Sequence, residues 1–168
     1  GIATAQRTGR GLATMAAVLS YAGKPFATLI DGARRTVFGW QDLHFKRLPE
    51  VGRRSFANCD IPDLDIFPQR YPSLRTIRFR AGLEVPALQI GLWLLTWAVR
   101  GRILPNADVL APVLMRAARL FDGAGSAVSA FYMEMTGHMK VTGGAAAGRE
   151  TTVAFNLTAG SGDGIYIP

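Results

Sequence analysis

The sequence predicts an α+β fold: a mostly antiparallel or mixed sheet with helices packed on one face. Three observations carry this. Periodic segments run in the order helix, strands, two helices, hairpin, with no regular βαβ alternation. The length of 168 residues suits one domain. Hydrophobic residues make up 49% of the chain and charged ones 18%, enough to bury a core and to exclude disorder. No internal repeat or linker divides the chain, so residues 1–168 read as a single domain.

Leu12, Met15, Ala16, Leu19 and Ala22 recur at helical spacing, and Gly23 and Pro25 then stop the run, which predicts a helix over 10–22. After the Asp31-Gly32 turn, Thr36, Phe38 and Trp40 alternate with Val37 and Gly39 as a strand does. LHFKRL (43–48) and RSFANC (54–59) read as two further strands, separated by Pro49 and Gly52. DIPDLDIFPQRYP (60–72) holds three prolines and three aspartates and reads as a turn, one helical turn, then extended chain. LRTIRFR (74–80) alternates, with Ile77 and Phe79 on one face and Thr76, Arg78 and Arg80 on the other. A helix over 84–100 is apolar around most of its circumference and is expected to be buried on several sides. The next helix, over 107–121, takes Asn106 as N-cap and Gly123 as stop, with Leu110, Leu114, Ala117 and Phe121 inward. Pro112 either kinks it or marks its true start. Phe131, Met133 and Met135 alternate with Tyr132, Glu134 and Thr136, and Thr151, Val153, Phe155 and Leu157 with Thr152, Ala154 and Asn156, which predicts a hairpin closed by TGGAAAG (142–148).

The net charge is +7, and all but Lys24, Lys46 and Lys140 of the basic residues are arginine. They are spread along the chain in nothing longer than pairs, which reads as a solvated surface and not as a nucleic-acid patch. VPALQIGLWLLTWAV (85–99) is shorter than the roughly 20 apolar residues of a membrane span. It reads as a buried or interface helix, with interfacial membrane contact as the alternative. The start shows no convincing signal peptide, so a cytoplasmic location is expected. The end, GSGDGIYIP, reads as cut within a longer chain.

GGAAAGRET (143–151) puts Arg149 and Glu150 where a phosphate loop needs Lys and Ser or Thr. GRGLAT (9–14) begins a dinucleotide fingerprint but has Thr14 at its third position and no expected strand before it. His44 and His138 are the only histidines, no G-x-S-x-G elbow accompanies them, and they read as ordinary strand residues. Cys59, the single cysteine, reads as a small packed residue whose neighbour Asp60 raises its thiol. Asp60, Asp63 and Asp65 lack the glycine and terminal glutamate of a calcium loop and suit turns and caps. The row Thr76, Arg78 and Arg80, ending near Glu84, has three readings: a clamp on a substrate carboxylate, solvated or internal ion pairs, or an interface.

Several segments together resemble the saccharopine dehydrogenase-like family: GRGLAT, GKPFATLIDG, VFGWQDLHF, then VGRRSFANCDIPDLDIFPQRYPSLRTIRFRAGLE, GLWLLTWAVRGRIL and LTAGSGDGIYIP. Their order and combination span about Gly9 to Pro168. The resemblance is to the second domain of bacterial members, which shapes a substrate cleft and mediates dimerisation beside an N-terminal Rossmann domain. It implies NAD or NADP in the full-length protein and no cofactor in this chain. It further implies a homodimer, a small-molecule substrate, and an isolated domain without activity. Arg80, Gly82 and Glu84 in FRAGLE, Asp60 and Asp63 in CDIPD, and Gly162 and Gly164 match the family pattern, and none of them carries a transferable catalytic role. Arg78, Arg80 and Glu84 are the candidate substrate-binding residues. The competing reading is a non-enzymatic assembly or membrane-peripheral module that uses the Trp93 and Trp97 helix.

Overall fold

The computed structural model describes residues 1–7, 11–138 and 150–160. It is α+β, as the pattern predicts. Among the described residues one sheet has six strands in the order β4-β5-β6-β1-β7-β8, and β2-β3 forms a separate hairpin. The strands are β1 (Ile2–Thr4), β2 (Pro25–Ile30), β3 (Ala33–Phe38), β4 (His44–Leu48), β5 (Gly52–Asn58), β6 (Arg80–Leu83), β7 (Ser129–His138) and β8 (Glu150–Ala159). The helices are α1 (Leu12–Ser20), α2 (Asp63–Arg70), α3 (Pro86–Arg100) and α4 (Ala111–Arg119). The β1–β6 pair is parallel and the other ladders of the sheet are antiparallel. None of the helices is long and apolar enough to cross a membrane.

Side chains alternate between two sheet faces and make two cores. Ile2, Ala57, Ala81 and Leu83 point to the helical side, where Leu19 of α1, Val99 of α3 and Ala111 of α4 close over them. Ala3, Phe56, Ala130 and Tyr132 point to the other side, with Leu48 and Val51. Among the described residues no helix packs on that second side. The sheet instead curls over it, and Lys46 on β4 reaches Glu134 on β7 although three strands lie between them. Gly82 makes the curl possible: a Cβ there would stand 2.4 Å from the Ser55 carbonyl oxygen and 3.1 Å from the Phe56 ring.

The elements differ from expectation in informative places. Residues 74–79 are extended but lie outside the ladders; the strand is β6, one step later. The earlier segment bonds irregularly to the β2 hairpin, with Ile77 N–H donating to Leu29 O at 3.0 Å and the Thr28 hydroxyl donating to Ile77 O. A short strand, β1, does precede GRGLAT, but α1 leads on to the β2-β3 hairpin and not to a parallel neighbour of β1, so no βαβ unit forms there. The single helical turn expected after Asp60 is two turns, α2, with Asp63 and Asp65 in its first turn and Arg70 in its last, both favourable to the helix dipole. Asn106 does not cap: a 3-10 turn, Asp108–Leu110, precedes α4, and Pro112 marks its true start. The expected loop at 142–148 lies outside the described residues.

Helix α3 is buried on one side only, not on several. The residues it turns inward include Gln89 and Thr96, both fully buried, while Ile90, Leu94 and Trp97 are about half exposed. The inward polar oxygens are used, while Gln89 Nε2 is buried without a hydrogen-bond partner. Gln89 accepts a hydrogen bond from the Leu83 backbone N–H at 2.8 Å and so ties the helix to the end of β6. The Thr96 hydroxyl accepts from Gln41 and donates to Trp93 O. Hydrophobicity alone points the wrong way here, because hydrogen-bonding demand from the neighbouring backbone outweighs it.

Candidate functional site

The segment Trp40–Gln41–Asp42 turns the chain from β3 to β4 in an uncommon conformation. Trp40 and Asp42 both have left-handed backbones, φ 59° and 60°. For non-glycine residues that costs about 1–3 kcal/mol each and persists only where the surroundings enforce it. They do. Trp40 N–H donates to Asn58 O, Asn58 N–H donates back to Gln41 O, and the Trp40 indole donates to Val18 O while stacking on Tyr21. The Gln41 side chain is held between Thr96 and Arg100.

This clamp presents Asp42 at the rim of a cavity of about 50 Å³ between the β2-β3 hairpin, α2 and β5. Phe26, Ile30, Val37, Leu64 and Phe79 supply apolar walls, and Thr28, Asn58, Asp42 and Arg78 supply the polar groups. At roughly 10–15 Å³ per water centre, the space suits one carboxylate-sized group or a few waters. Arg78 is exposed and makes no ion pair among the described residues. Arg80, mostly buried, stands 3.5 Å from the Asp42 carboxylate. Its Nε is buried with no hydrogen-bond partner. Of the three candidate residues, Arg78 lines the cavity together with Asp42, and Arg80 pairs with Asp42 without lining it.

Glu84 belongs to a different neighbourhood, at the other end of β6. One carboxylate oxygen accepts from the Arg54 guanidinium at 3.0 Å and the Ser126 hydroxyl at 2.7 Å; the other accepts from the backbone N–H groups of Gln6 and Ser126, both at 2.8 Å. Burial pushes this carboxyl up, but the Gln6 and Ser126 donors and Arg54 together outweigh that and hold it below the ordinary value. Its hydrogen bonds tie β1's exit, β5 and the segment before β7 together.

No protein-family model, curated protein or solved structure matches this chain.

The other sequence candidates fall apart in space or into structural roles. His44 is exposed on β4 and His138 is exposed at the far end of β7. Among the described residues no cluster of three His, Cys, Asp or Glu could hold a metal ion. Asp65 pairs with Arg34 at 2.6 Å, and the Asp60 carboxyl is pushed up by burial and by Asp65. Cys59 is buried, 3.2 Å from the Tyr21 hydroxyl; burial pushes its thiol up and Asp60 adds to this, while the Tyr21 contact acts in the opposite sense. Its alkylation by iodoacetamide at pH 8 is expected to be at least tenfold slower in the folded chain than in urea. Equal rates would mean that the α1–sheet seam opens freely.

Asp42 and Asn58 are the site residues that the pattern missed. Their membership depends on a left-handed turn at Trp40 and on the backbone bonds between that turn and Asn58 of β5, and neither leaves a periodic signal.

Proposed function

We propose that this chain is the substrate-binding and dimerisation domain of an NAD(P)-dependent, saccharopine dehydrogenase-like oxidoreductase, and that it binds a carboxylate-bearing small molecule. The observation that carries the reading is Arg78, unpaired at an apolar-walled cavity, with Arg80 anchored behind it by Asp42. An exposed guanidinium with a second one fixed nearby can take a carboxylate through charge-assisted bonds. The apolar walls would seat the carbon skeleton beside it. The strained Trp40–Asp42 turn holds Asp42 where it orients Arg80, which is a positioning role.

The nicotinamide cofactor would supply the hydride, and its site is assigned to a Rossmann domain outside this chain. The chain's own residues bind and orient the substrate. In the full-length protein, Arg80→Ala is expected to raise KM for an acidic substrate about tenfold, with a smaller change in kcat. An unchanged KM at an unchanged melting temperature removes the assignment. Tight binding of NADH or NADPH by the isolated 168-residue chain, read by fluorescence, would contradict the division of labour.

A further inference from the structure

The cavity beside Arg78 has a charged mouth and an uncharged floor. Arg78 and Asp42 are exposed, whereas Thr28 is 3% and Asn58 7% exposed. The two floor residues differ in what they have left to offer. The Thr28 hydroxyl spends its hydrogen on Ile77 O, so its oxygen has only lone pairs for anything else. Asn58 spends both backbone groups on the neighbouring turn: its carbonyl accepts from Trp40 N–H at 2.8 Å, and its N–H donates to Gln41 O at 3.0 Å. What it has for the cavity is therefore its carboxamide, which bonds to no group of the described residues. The side-chain atoms that are both sealed and unpartnered among those residues are Arg80 Nε and Gln89 Nε2. The Asn58 carboxamide thus keeps an opening, and the cavity it lines supplies one. A mostly buried amide is held unpaired only at a cost, unless something enters to bond it.

We propose that Asn58 selects the ligand of this cavity, and that the ligand is a small carboxylic acid that also carries a primary amide. The carboxylate lies on Arg78 at the mouth and the amide on Asn58 at the floor. The inference rests on the carboxylate reading given above and adds the chemistry of the ligand's buried end.

Matching donors to acceptors decides the class. The floor offers the Asn58 NH2 as donor, and it has two oxygens in need of a donor, Asn58 Oδ1 and Thr28 Oγ1. A primary amide brings an acceptor oxygen and two N–H groups, which is the complement. A second carboxylate in that place would accept from Asn58 Nδ2, but it would set its own lone pairs against the two oxygens and take a charge out of water. An alkyl end would leave every floor group unpaired. Size agrees: a cavity of about 50 Å³, at roughly 10–15 Å³ per water centre, takes the three heavy atoms of an amide. The apolar walls then cover the carbons that link amide to carboxylate.

The test is titration of the 168-residue chain, by calorimetry and by amide NMR, with malonamate, succinamate and glutaramate. Each is compared with the dicarboxylate and with the isopropyl-ended acid of the same length. The best-fitting amide acid is expected to bind with a Kd of about 1 mM or below. It should bind at least tenfold tighter than its isopropyl isostere and its dicarboxylate, and should shift the Asn58 side-chain NH2 signal. Asn58→Leu, of similar shape, should abolish that preference, with circular dichroism confirming its fold. The wild-type comparison needs no variant and stands even if Asn58→Leu does not fold. Equal binding of amide acid and isostere overturns the proposal, and so does a folded Asn58→Leu chain that keeps the preference. The carboxylate reading survives either result if Arg78→Ala weakens every acid. Butyramide, which has no carboxylate, separates the two the other way. If it binds as tightly as succinamate and Arg78→Ala changes nothing, the carboxylate reading falls and the pairing with Asn58 stands. No binding of any of these compounds at about 20 mM overturns both.

Discussion

Glu84→Ala is expected to lower unfolding stability by about 3 kcal/mol, the range for breaking a buried, hydrogen-bonded ion pair. Two backbone N–H groups, a hydroxyl and the Arg54 guanidinium would lose their acceptor at once. Glu84→Gln keeps the shape but turns an amide NH2 toward donors, so it is expected to destabilise as well, by less. The two variants separate on pH. The folded-state pKa of Glu84 is depressed, so its stabilisation is complete above the unfolded carboxyl's pKa of about 4.3 and disappears as pH falls through the lower folded value. Urea titrations from pH 7 down to pH 3 should show this loss in the wild-type chain and a shallower slope in Glu84→Gln. Identical slopes would mean that Glu84 is not the carboxylate that matters.

Phe56→Ala is expected to cost about 4 kcal/mol and to lower Tm by roughly 10 °C. Phe56 is fully buried at the centre of the curled face, edge-on to Tyr132 with ring centroids 5.2 Å apart. Its neighbours there, Ala3, Gly82 and Ala130, are small and stand on strands paired through the backbone, so none can move in to fill the space. Phe56→Leu, which keeps much of the volume, should recover more than half of the loss. Calorimetry of the pair distinguishes a cavity effect from a loss of the aromatic contact alone.

Much of the architecture was legible because it repeats. The β7-β8 hairpin shows its period over 131–136 and 151–157, and α1 shows its own over two turns or more. The parts that were not legible lack a period or carry a misleading one. β1 is three residues long, and β6 is Arg-Ala-Gly-Leu, where Gly82 replaces the side chain that would have revealed the alternation. LRTIRFR alternates as a strand does, yet its backbone bonds to β2 one group at a time. On α3 apolar residues lie outward as well as inward, because Gln89 and Thr96 take inward places where they answer backbone and side-chain groups that only the tertiary structure positions.

The candidate site divides in the same way. Arg78 and Arg80 are two residues apart: Arg80 pairs with Asp42, and Arg78 lines the same cavity as Asp42. Glu84, four residues further, is close to them in sequence only. The chain turns at the end of β6, and the carboxylate meets Arg54, Gln6 and Ser126 instead. Asp42 itself was invisible, since nothing in GWQD announces two left-handed residues around one glutamine.

The position of β1 sets the order in which this chain can assemble. Residues 2–4 lie between β6, about residue 81, and β7, about residue 131. The β2-β3 and β4-β5 hairpins need only near neighbours and can form while synthesis proceeds. The first strand must wait for the last third of the chain, because one of its neighbours does not yet exist. Closing so long a loop is slow, and until it closes the sheet is two fragments with open edges. The segment that holds β1 is therefore the piece that a chaperone has most reason to hold.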